Sequence, residues 1–304
     1  MAEFDAYLMV DWSASSRRVT GTDSIWYCLV TRSRNGPSVV ELENPSTRRQ
    51  AMAEINVILS DLARQDQMVL VGFDFPFGYP AGTAAALGLT DTPEWSRLWR
   101  ELASLIFDGD DNTNNRFEVA ADINRRISGG CYPFWGCPQE RVSATMSCTK
   151  GGPGYLAEKR ITDVGNMQPI WKLYGNGCVG SQALLGIPRL AALRNDQVLS
   201  PVSRVWPFET GLSALPNRAS RDYRIICAEI YPSLLPIQRA VGEVKDAAQV
   251  KTMAGHFAAL DDVGELSTLF TGPSYLSPEM RKTIEFEEGW ALGVPSGRQG
   301  EVRA

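Results

Sequence analysis

The chain has 304 residues, and its 30 Lys and Arg side chains against 35 Asp and Glu give a net charge of −5. Hydrophobic residues make up 44% and charged residues 21%, which is usual for a globular protein and excludes a disordered or collagen-like chain. No apolar run approaches the ~18 residues of a membrane helix, and the start lacks the cationic segment of a secretion signal, so we expect no membrane partner. The six cysteines form no CxxC pair, which favours a cytoplasmic location over a disulfide framework.

Two absences narrow the chemistry further. His256 is the only histidine, and it lies in a segment with the periodicity of an amphipathic helix, where a structural role is expected. Zinc hydrolases with histidine ligands and Ser-His-Asp hydrolases are therefore poorly supported. The chain also lacks a GxxxxGKS or GxxxxGKT segment, the phosphate loop of Walker-type NTPases. Hydrolytic chemistry must depend on carboxylates, backbone amides and, where one binds, a metal ion.

The first 75 residues predict the order strand, strand, strand, helix, strand. Apolar and β-branched runs give the first three strands at 6–10, 24–31 and 38–42, with the Asn35-Gly36-Pro37 turn between the last two. Apolar residues at helical spacing predict a helix over 45–63, with Asn44 as its N-cap and Pro45 at its first position. The continuous apolar run at 68–73 is typical of a strand that a parallel sheet buries on both faces.

The rest of the chain alternates helices and strands around an irregular segment at 128–168, which we interpret as an insertion or lid. Further strands are predicted at 170–173, 202–208 and 223–230. Further helices are predicted at 93–107, 116–127, 181–194, 244–260 and 278–292, the last with Ser277 as N-cap. We therefore expect one α/β domain over 1–304, with a helical and irregular insertion at about 80–168.

Four acids stand where predicted strands end, namely Asp11, Asp74, Glu209 and Glu229. The helix at 45–63 can return the chain so that the strand before Asp74 lies parallel to the strand before Asp11. Neighbouring strands are about 4.8 Å apart, so both carboxylates would emerge at one edge of the sheet. Two such anions repel each other unless a cation lies between them. Mg²⁺ binds through one or two carboxylates and keeps waters, which predicts a metal site at this pair. The alternative is two independent loop aspartates.

A further acid is expected from a helix. On a helical wheel Glu287 falls on the apolar side of the helix at 278–292, and Glu288 on its margin, so Glu287 is a candidate to complete the site. Asp246 is a rival because it shares a face with apolar residues of its helix, although an acid in a first turn is also favoured by the helix dipole. Whether Glu287, Asp246 or Glu209 completes the site stays open.

The segment from Gly175 to Gly180 matches GxGxxG and precedes a predicted helix. Three interpretations of this segment stay open. It is a plain strand–helix turn, or a loop that binds phosphate through the amides of Gly177, Gly180 and Ser181. The third interpretation is a dinucleotide-binding fingerprint, although the acid expected about 20 residues later at the end of a strand is missing. Arg116 and Lys172 are isolated cations suited to a phosphate.

The aromatic run at 131–137 is either a stacking platform for bases or a hydrophobic plug. The spacing of Cys131, Cys137 and Cys148 does not fit a metal knuckle.

Three acidic motifs accompany the predicted order of elements: VDWSA around Asp11, GFDFPFGYP around Asp74 and AEIYPSL around Glu229. Together they resemble the ribonuclease H-like superfamily, and in particular a bacterial branch of predicted nucleases. NPSTRR, NNRF, GSQALLGIPRL, KDAAQV and EEGW are also similar to that branch, so the resemblance extends over nearly the whole chain. It implies a mixed sheet flanked by helices.

The resemblance also implies phosphodiester hydrolysis with two Mg²⁺ or Mn²⁺ ions. Asp11 would then bridge both ions and Asp74 would bind one, while Glu229 and either Glu287 or Asp246 would complete the ligands. The net charge of −5 favours a short oligonucleotide or a small phosphate ester over a long duplex. Two alternatives stay open: a nucleotide-phosphate phosphotransferase of the sugar-kinase and actin type, and a binding module with structural acids.

Overall fold

A seven-stranded mixed sheet with helices on both faces forms the centre of the protein, which gives an α/β fold. The structure, a computed structural model, describes residues 2–33, 36–89, 93–152, 154–237 and 239–294. The predicted turn at 35–37 lies partly outside these residues. Over the described part of the chain, no helix has the length and apolar composition needed to cross a membrane.

The first five elements follow the predicted order. They are β1 (Ala6–Asp11), β2 (Trp26–Ser33), β3 (Gly36–Glu43), α1 (Arg48–Arg64) and β4 (Val69–Phe73). β1 lies between β2, to which it is antiparallel, and β4, to which it is parallel. The predicted parallel pairing of the strands before Asp11 and Asp74 is therefore confirmed.

The predicted start of α1 is wrong by one turn. Thr47 is the N-cap, and its side chain accepts a hydrogen bond from the backbone N–H of Gln50 at 3.1 Å. The Asn44 side chain is used elsewhere, since it accepts from the N–H of Gly21 at 2.6 Å and donates to the Ser24 hydroxyl at 2.8 Å. A cap residue cannot serve both purposes, so the helix begins later than the Asn-Pro signal suggests.

The remaining strands extend the sheet on the far side of β4. They are β5 (Ser203–Val205), β6 (Ile225–Ile230) and β7 (Ala291–Leu292), and the sheet order is β3-β2-β1-β4-β6-β5 with β7 also paired to β6. The segment predicted as a strand at 170–173 instead forms turns, with one isolated bridge between Trp135 and Lys172. The strand predicted over 202–208 ends at Val205, because the chain turns back and the Glu209 N–H donates to the Val205 carbonyl.

Helices cover both faces of the sheet. They are α2 (Thr83–Ala86), α3 (Glu94–Leu105), α4 (Arg116–Ser128), α5 (Gly180–Arg194), α6 (Lys245–Asp262), α7 (Leu266–Leu269) and α8 (Pro278–Thr283). Leu8 and Val10 of β1 pack in the core on the α1 side, while Tyr7 and Met9 pack in the core on the α6 side. This alternation is the period-2 pattern of a strand that is buried on both faces.

The last predicted helix, at 278–292, is much shorter than expected. Ser277 caps α8 as predicted, but the α-helix ends at Thr283 and continues as a π-helical turn over Ile284–Glu288 before β7. A π turn adds a residue to each turn and so rotates every later side chain away from its place on an α-helical wheel. Glu288 is consequently the buried acid of this segment, whereas Glu287 is half-buried.

Candidate active site

Asp11 and Asp74 lie next to each other at the carboxyl ends of β1 and β4. The parallel register pairs Val10 with Phe73, and the Asp74 N–H donates to the Val10 carbonyl at 2.9 Å directly beyond that pair. The spacing of neighbouring strands, about 4.8 Å, therefore separates the two backbone positions. Both aspartates line one open cleft.

The two carboxylates lack the partners that buried acids usually have. Among the described residues, none donates a hydrogen bond to the side chain of Asp11 or Asp74. Burial, followed by repulsion from Asp74 and Asp246, raises the pKa of Asp11 well above its ordinary value. Burial, followed by the charges of Glu229 and Asp246, raises the pKa of Asp74 to about 7. Ionisation of these carboxylates is therefore unfavourable in the folded protein, and a bound cation or a proton would remove the repulsion between them.

The start of α6 adds an acid and a cation to this pair. Asp246 is buried, and its Oδ2 accepts from the Asp23 N–H at 2.7 Å. Burial is the main reason that the pKa of Asp246 is also raised. Lys245, one residue earlier, is exposed and lines the same cleft, and its charge lowers the pKa of Asp11 and of Asp74. The structure thus brings together three of the predicted acids and one lysine that was not among the predicted site residues.

The cleft has a volume of about 720 Å³, within the ~300–1,000 Å³ of small-molecule sites. Its charged lining consists of Asp11, Asp23, Asp74, Asp246 and Lys245. Most of its other polar side chains are carboxamides, which we call the carboxamide wall: Asn166, Gln168, Asn176, Gln182 and Gln249. The glycine loop before α5 also borders the cleft, at Gly175 and Gly177.

Of the residues predicted to bind phosphate, the structure brings Gly177 to the cleft. Gly180 and Ser181 instead hold the start of α5, since the Gly180 N–H donates to the Lys172 carbonyl at 3.1 Å and the Ser181 hydroxyl to the Leu173 carbonyl at 2.6 Å. A Cβ at position 180 would stand 2.1 Å from the Ile170 carbonyl oxygen, so only glycine fits there.

The two predicted phosphate cations support this loop and do not line the cleft. The Arg116 guanidinium donates to the Ser181 hydroxyl at 3.0 Å and to the Ser16 hydroxyl at 2.7 Å, and burial lowers the pKa of Arg116 to about 10. The Lys172 ammonium donates to the Asn176 carbonyl at 2.9 Å and lies 6.0 Å from the centre of the Trp135 ring. Both side chains therefore fix the position of the glycine loop.

Glu229 lies beside Asp74 but has a partner of its own. In the sheet it is paired with Phe73, and its carboxylate accepts from both terminal nitrogens of Arg160, at 2.7 and 2.6 Å, and from the Phe77 N–H at 2.9 Å. Arg160 also pairs with Asp163 at 2.8 Å, and all three side chains are buried. The predicted metal ligand Glu229 is thus held by the Arg160 guanidinium, which it shares with Asp163.

Glu287, Glu288 and Glu209 are not among the residues that line the cleft. Glu287 accepts from the Gly82 N–H at 2.6 Å, and Glu288 from the N–H groups of Ala81 and Ile161 at 2.8 and 2.6 Å. Glu209 pairs with Arg194 at 2.7 Å. Of the acids left open as the completing residue, the structure brings Asp246 to the pair, because the π turn moves Glu287 off the face that an α-helix would have given it.

The aromatic run at 131–137 divides into two roles. Phe134 is fully buried and packs against Tyr79 and Trp171, as the plug interpretation predicts. Tyr132 and Trp135 are half-buried and line a separate cavity of about 540 Å³.

All six cysteines are free, including the three of the insertion. Within the described ranges, no group of three or more His, Cys, Asp and Glu side chains is arranged to hold a metal ion.

Several cleft residues gave no strong signal in the sequence. Lys245 precedes Asp246 in KDAAQV, so a search for cations beside the candidate acids would have found it. Gln182 and Gln249 lie on helices far apart in the chain and reach the same cleft only through tertiary packing.

Comparisons of the chain with protein-family models, with curated proteins and with solved structures gave no match.

Proposed function

We propose that this protein is a metal-dependent phosphodiesterase that hydrolyses nucleic acid or short oligonucleotides. The observation that carries the proposal is the placement of Asp11 and Asp74 side by side at the ends of two parallel strands, in an open cleft and without hydrogen-bond donors. An acid pair of this kind destabilises the folded protein, and such pairs occur mainly at functional sites.

The donor set fits a hard divalent cation. Asp11 and Asp74 would hold Mg²⁺ or Mn²⁺, since magnesium sites in proteins use one or two carboxylates with water and substrate phosphate as the other ligands. Asp246 lines the same cleft and is the third candidate ligand, and its carboxylate already accepts from the backbone N–H groups of Asp23 and Ser24. When bound, the metal supplies activation of water and neutralisation of the phosphoryl oxygens.

Lys245 and the glycine loop are the groups of the protein that would position the substrate phosphate in the cleft. The exposed ammonium of Lys245 reduces the negative potential at the acids and can contact a phosphate oxygen that enters the cleft. Gly177, with a backbone φ of 68°, turns the loop at the edge of the cleft, a conformation that glycine adopts without strain. Lys172 and Arg116 hold this loop in place.

The topology supports an assignment to the ribonuclease H-like superfamily, and the cysteines bear on the location. The order of β1, β2, β3, α1 and β4, with antiparallel pairs up to β1 and a parallel pair from β1 to β4, agrees with the resemblance of the acidic motifs. The free state of all six cysteines supports the proposed cytoplasmic location.

The test is hydrolysis of single-stranded DNA, single-stranded RNA and duplexes with Mg²⁺, with Mn²⁺ and with chelator. We expect cleavage that requires the metal and that falls at least about 100-fold in Asp11→Asn and in Asp74→Asn. Asp61→Asn is the matched control, because Asp61 is a half-exposed aspartate of α1 that pairs with Arg64 and does not line the cleft. Cleavage that neither site variant changes would refute the assigned site.

One observation favours a second candidate, a phosphotransferase of the sugar-kinase and actin type. The glycine loop lines the same cleft as the acids, as a nucleotide-phosphate site would require. Calorimetric binding of ATP with Mg²⁺, in the absence of polynucleotide cleavage, would select this function. Failure to bind metal, with stability unchanged by chelator, would instead indicate a binding module with structural acids.

A further inference from the structure

The composition of the cleft lining constrains the substrate beyond its phosphodiester bond. Among the described residues that line the cleft, the charged ones are four aspartates and one lysine. Proteins that bind long nucleic acids need several Lys or Arg contacts to phosphates, which dominate the affinity. Even with one divalent ion at Asp11 and Asp74, these side chains leave the cleft with a net charge of −1. A strand that crossed the cleft over many nucleotides would not find the positive charge it needs, so the phosphates near the acids must be few.

The carboxamide wall supplies neutral donors and acceptors in place of cations. Asn and Gln side chains recognise base edges by paired hydrogen bonds, and enzymes that act on an extruded base bind its Watson–Crick edge in this way. A volume of about 720 Å³ is that of a small-molecule pocket, which suits one or two nucleotides and not a duplex.

Within this wall, Gln168 and Gln182 differ in their bonding. The Gln168 carboxamide accepts from the Lys172 ammonium at 3.4 Å and donates to the Asn166 carbonyl at 3.3 Å. The Gln182 Oε1 is enclosed by protein, and no described residue donates to it. The last torsion of a Gln side chain is broad and roughly two-fold, so this amide can turn its oxygen or its nitrogen toward a ligand.

We infer that the cleft binds one or two nucleotides of a single strand, with the phosphate at Asp11 and Asp74 and the base against the carboxamide wall, where Gln182 determines which base is preferred. This inference rests on the proposed function. It names a short single-stranded end or a dinucleotide as the substrate, with base recognition through hydrogen bonds and not through basic side chains.

The test measures binding separately from hydrolysis. Calorimetry in Ca²⁺ uses four homodinucleotides (A, C, G and T) whose bridging oxygen is replaced by a methylene group, so that they cannot be hydrolysed. We expect the wild-type protein to prefer one of the four by about tenfold, the effect of one well-made hydrogen bond. In Gln182→Leu this preference should fall to about twofold or less, while Gln65→Leu, on an exposed residue at the other end of the sheet, should retain it.

A length series completes the test. The preferred dinucleotide should bind within about threefold of a 20-nucleotide single strand, and at least about tenfold more tightly than a 20-base-pair duplex. Tighter binding of the duplex, or a base preference that Gln182→Leu leaves intact, would overturn the inference. Metal-dependent cleavage by a protein that binds no dinucleotide would overturn it and leave the proposed function standing. Absence of both binding and cleavage would remove the proposed function as well.

Discussion

Asp74 and Glu229 stand almost side by side at the ends of adjacent parallel strands, yet their surroundings are opposite. Glu229 is surrounded by donors, with both oxygens bound to Arg160 and one also to a backbone N–H. The side chain of Asp74 accepts no hydrogen bond from any described residue and opens into the cleft. The position of an acid at a strand end therefore does not decide its role, and the presence or absence of an internal partner does.

The difference has an energetic meaning. A buried carboxylate is tolerated when a cation and hydrogen bonds compensate its lost hydration, as in the cluster of Arg160, Asp163 and Glu229. An acid pair without such compensation is retained for a ligand that supplies it from outside. We therefore assign the Arg160 cluster to stability and the Asp11–Asp74 pair to function, and the following predictions test this division.

The largest expected effect is on stability. Arg160→Met should lower the free energy of unfolding by about 3–5 kcal/mol, because it leaves Glu229 and Asp163 buried without their cation. Urea unfolding followed by tryptophan fluorescence measures the loss. A triple variant that also carries Glu229→Gln and Asp163→Asn should recover part of it, since the uncompensated charges are then removed. A loss below about 1 kcal/mol would show that the cluster does not hold the fold.

The next effect is stabilisation by metal. At Mn²⁺ concentrations 100 times the dissociation constant, the folded state should gain about 2.7 kcal/mol. The gain should be absent in Asp74→Asn and present in Asp61→Asn, as measured by thermal unfolding in Mn²⁺ and in chelator. Because protons compete with the metal, the affinity should also rise between about pH 6 and pH 8, the range in which Asp74 loses its proton. Equal stabilisation of Asp74→Asn would place the metal elsewhere.

The position of the acid pair could be predicted from the sequence because it depends on local patterns. The apolar runs ending in Asp11 and Asp74, and the single helix between their strands, determine both the parallel pairing and the shared edge. Hydrophobic alternation and one crossover are enough to establish these features. The third acid of the cleft, Asp246, was harder to predict. It reaches the cleft from α6, more than 170 residues after Asp74.

The predictions that failed share a physical cause. Asn44 is not the cap of α1, because its side chain bonds to a distant loop, and Glu287 does not reach the acids, because a π turn interrupts the predicted helix. Arg160, which neutralises Glu229, comes from the irregular insertion, where no periodicity predicts a position. Contacts between segments that are distant in sequence, and local departures from helical geometry, leave no mark on hydrophobic spacing.

A smaller effect concerns the ionisation of the acid pair in the absence of metal. A raised pKa means that the folded chain holds the proton of Asp74 more tightly than the unfolded chain, so ionisation costs stability as pH rises. Asp74→Asn, in chelator, should therefore be more stable than the wild type at pH 8, where the wild-type carboxylate is ionised. The difference should shrink as pH falls through about 7, the folded-state pKa, and vanish below about 4, the unfolded-state value. A constant difference at all pH values would indicate that the substitution changes packing and not charge.

The smallest effect is expected at Lys245, whose exposed ammonium acts through solvent-screened charge. Lys245→Met should raise the pKa of Asp11 and Asp74 further, since the lysine charge lowers both. The pH midpoint of Mn²⁺ binding should then move upward by a few tenths of a pH unit, while the stability of the metal-free protein changes by less than about 1 kcal/mol. Lys245→Arg keeps the charge and should keep the wild-type midpoint. A downward movement in Lys245→Met, or the same movement in Lys245→Arg, would mean that Lys245 acts through packing. The two variants together therefore separate the effect of charge from the effect of shape at Lys245.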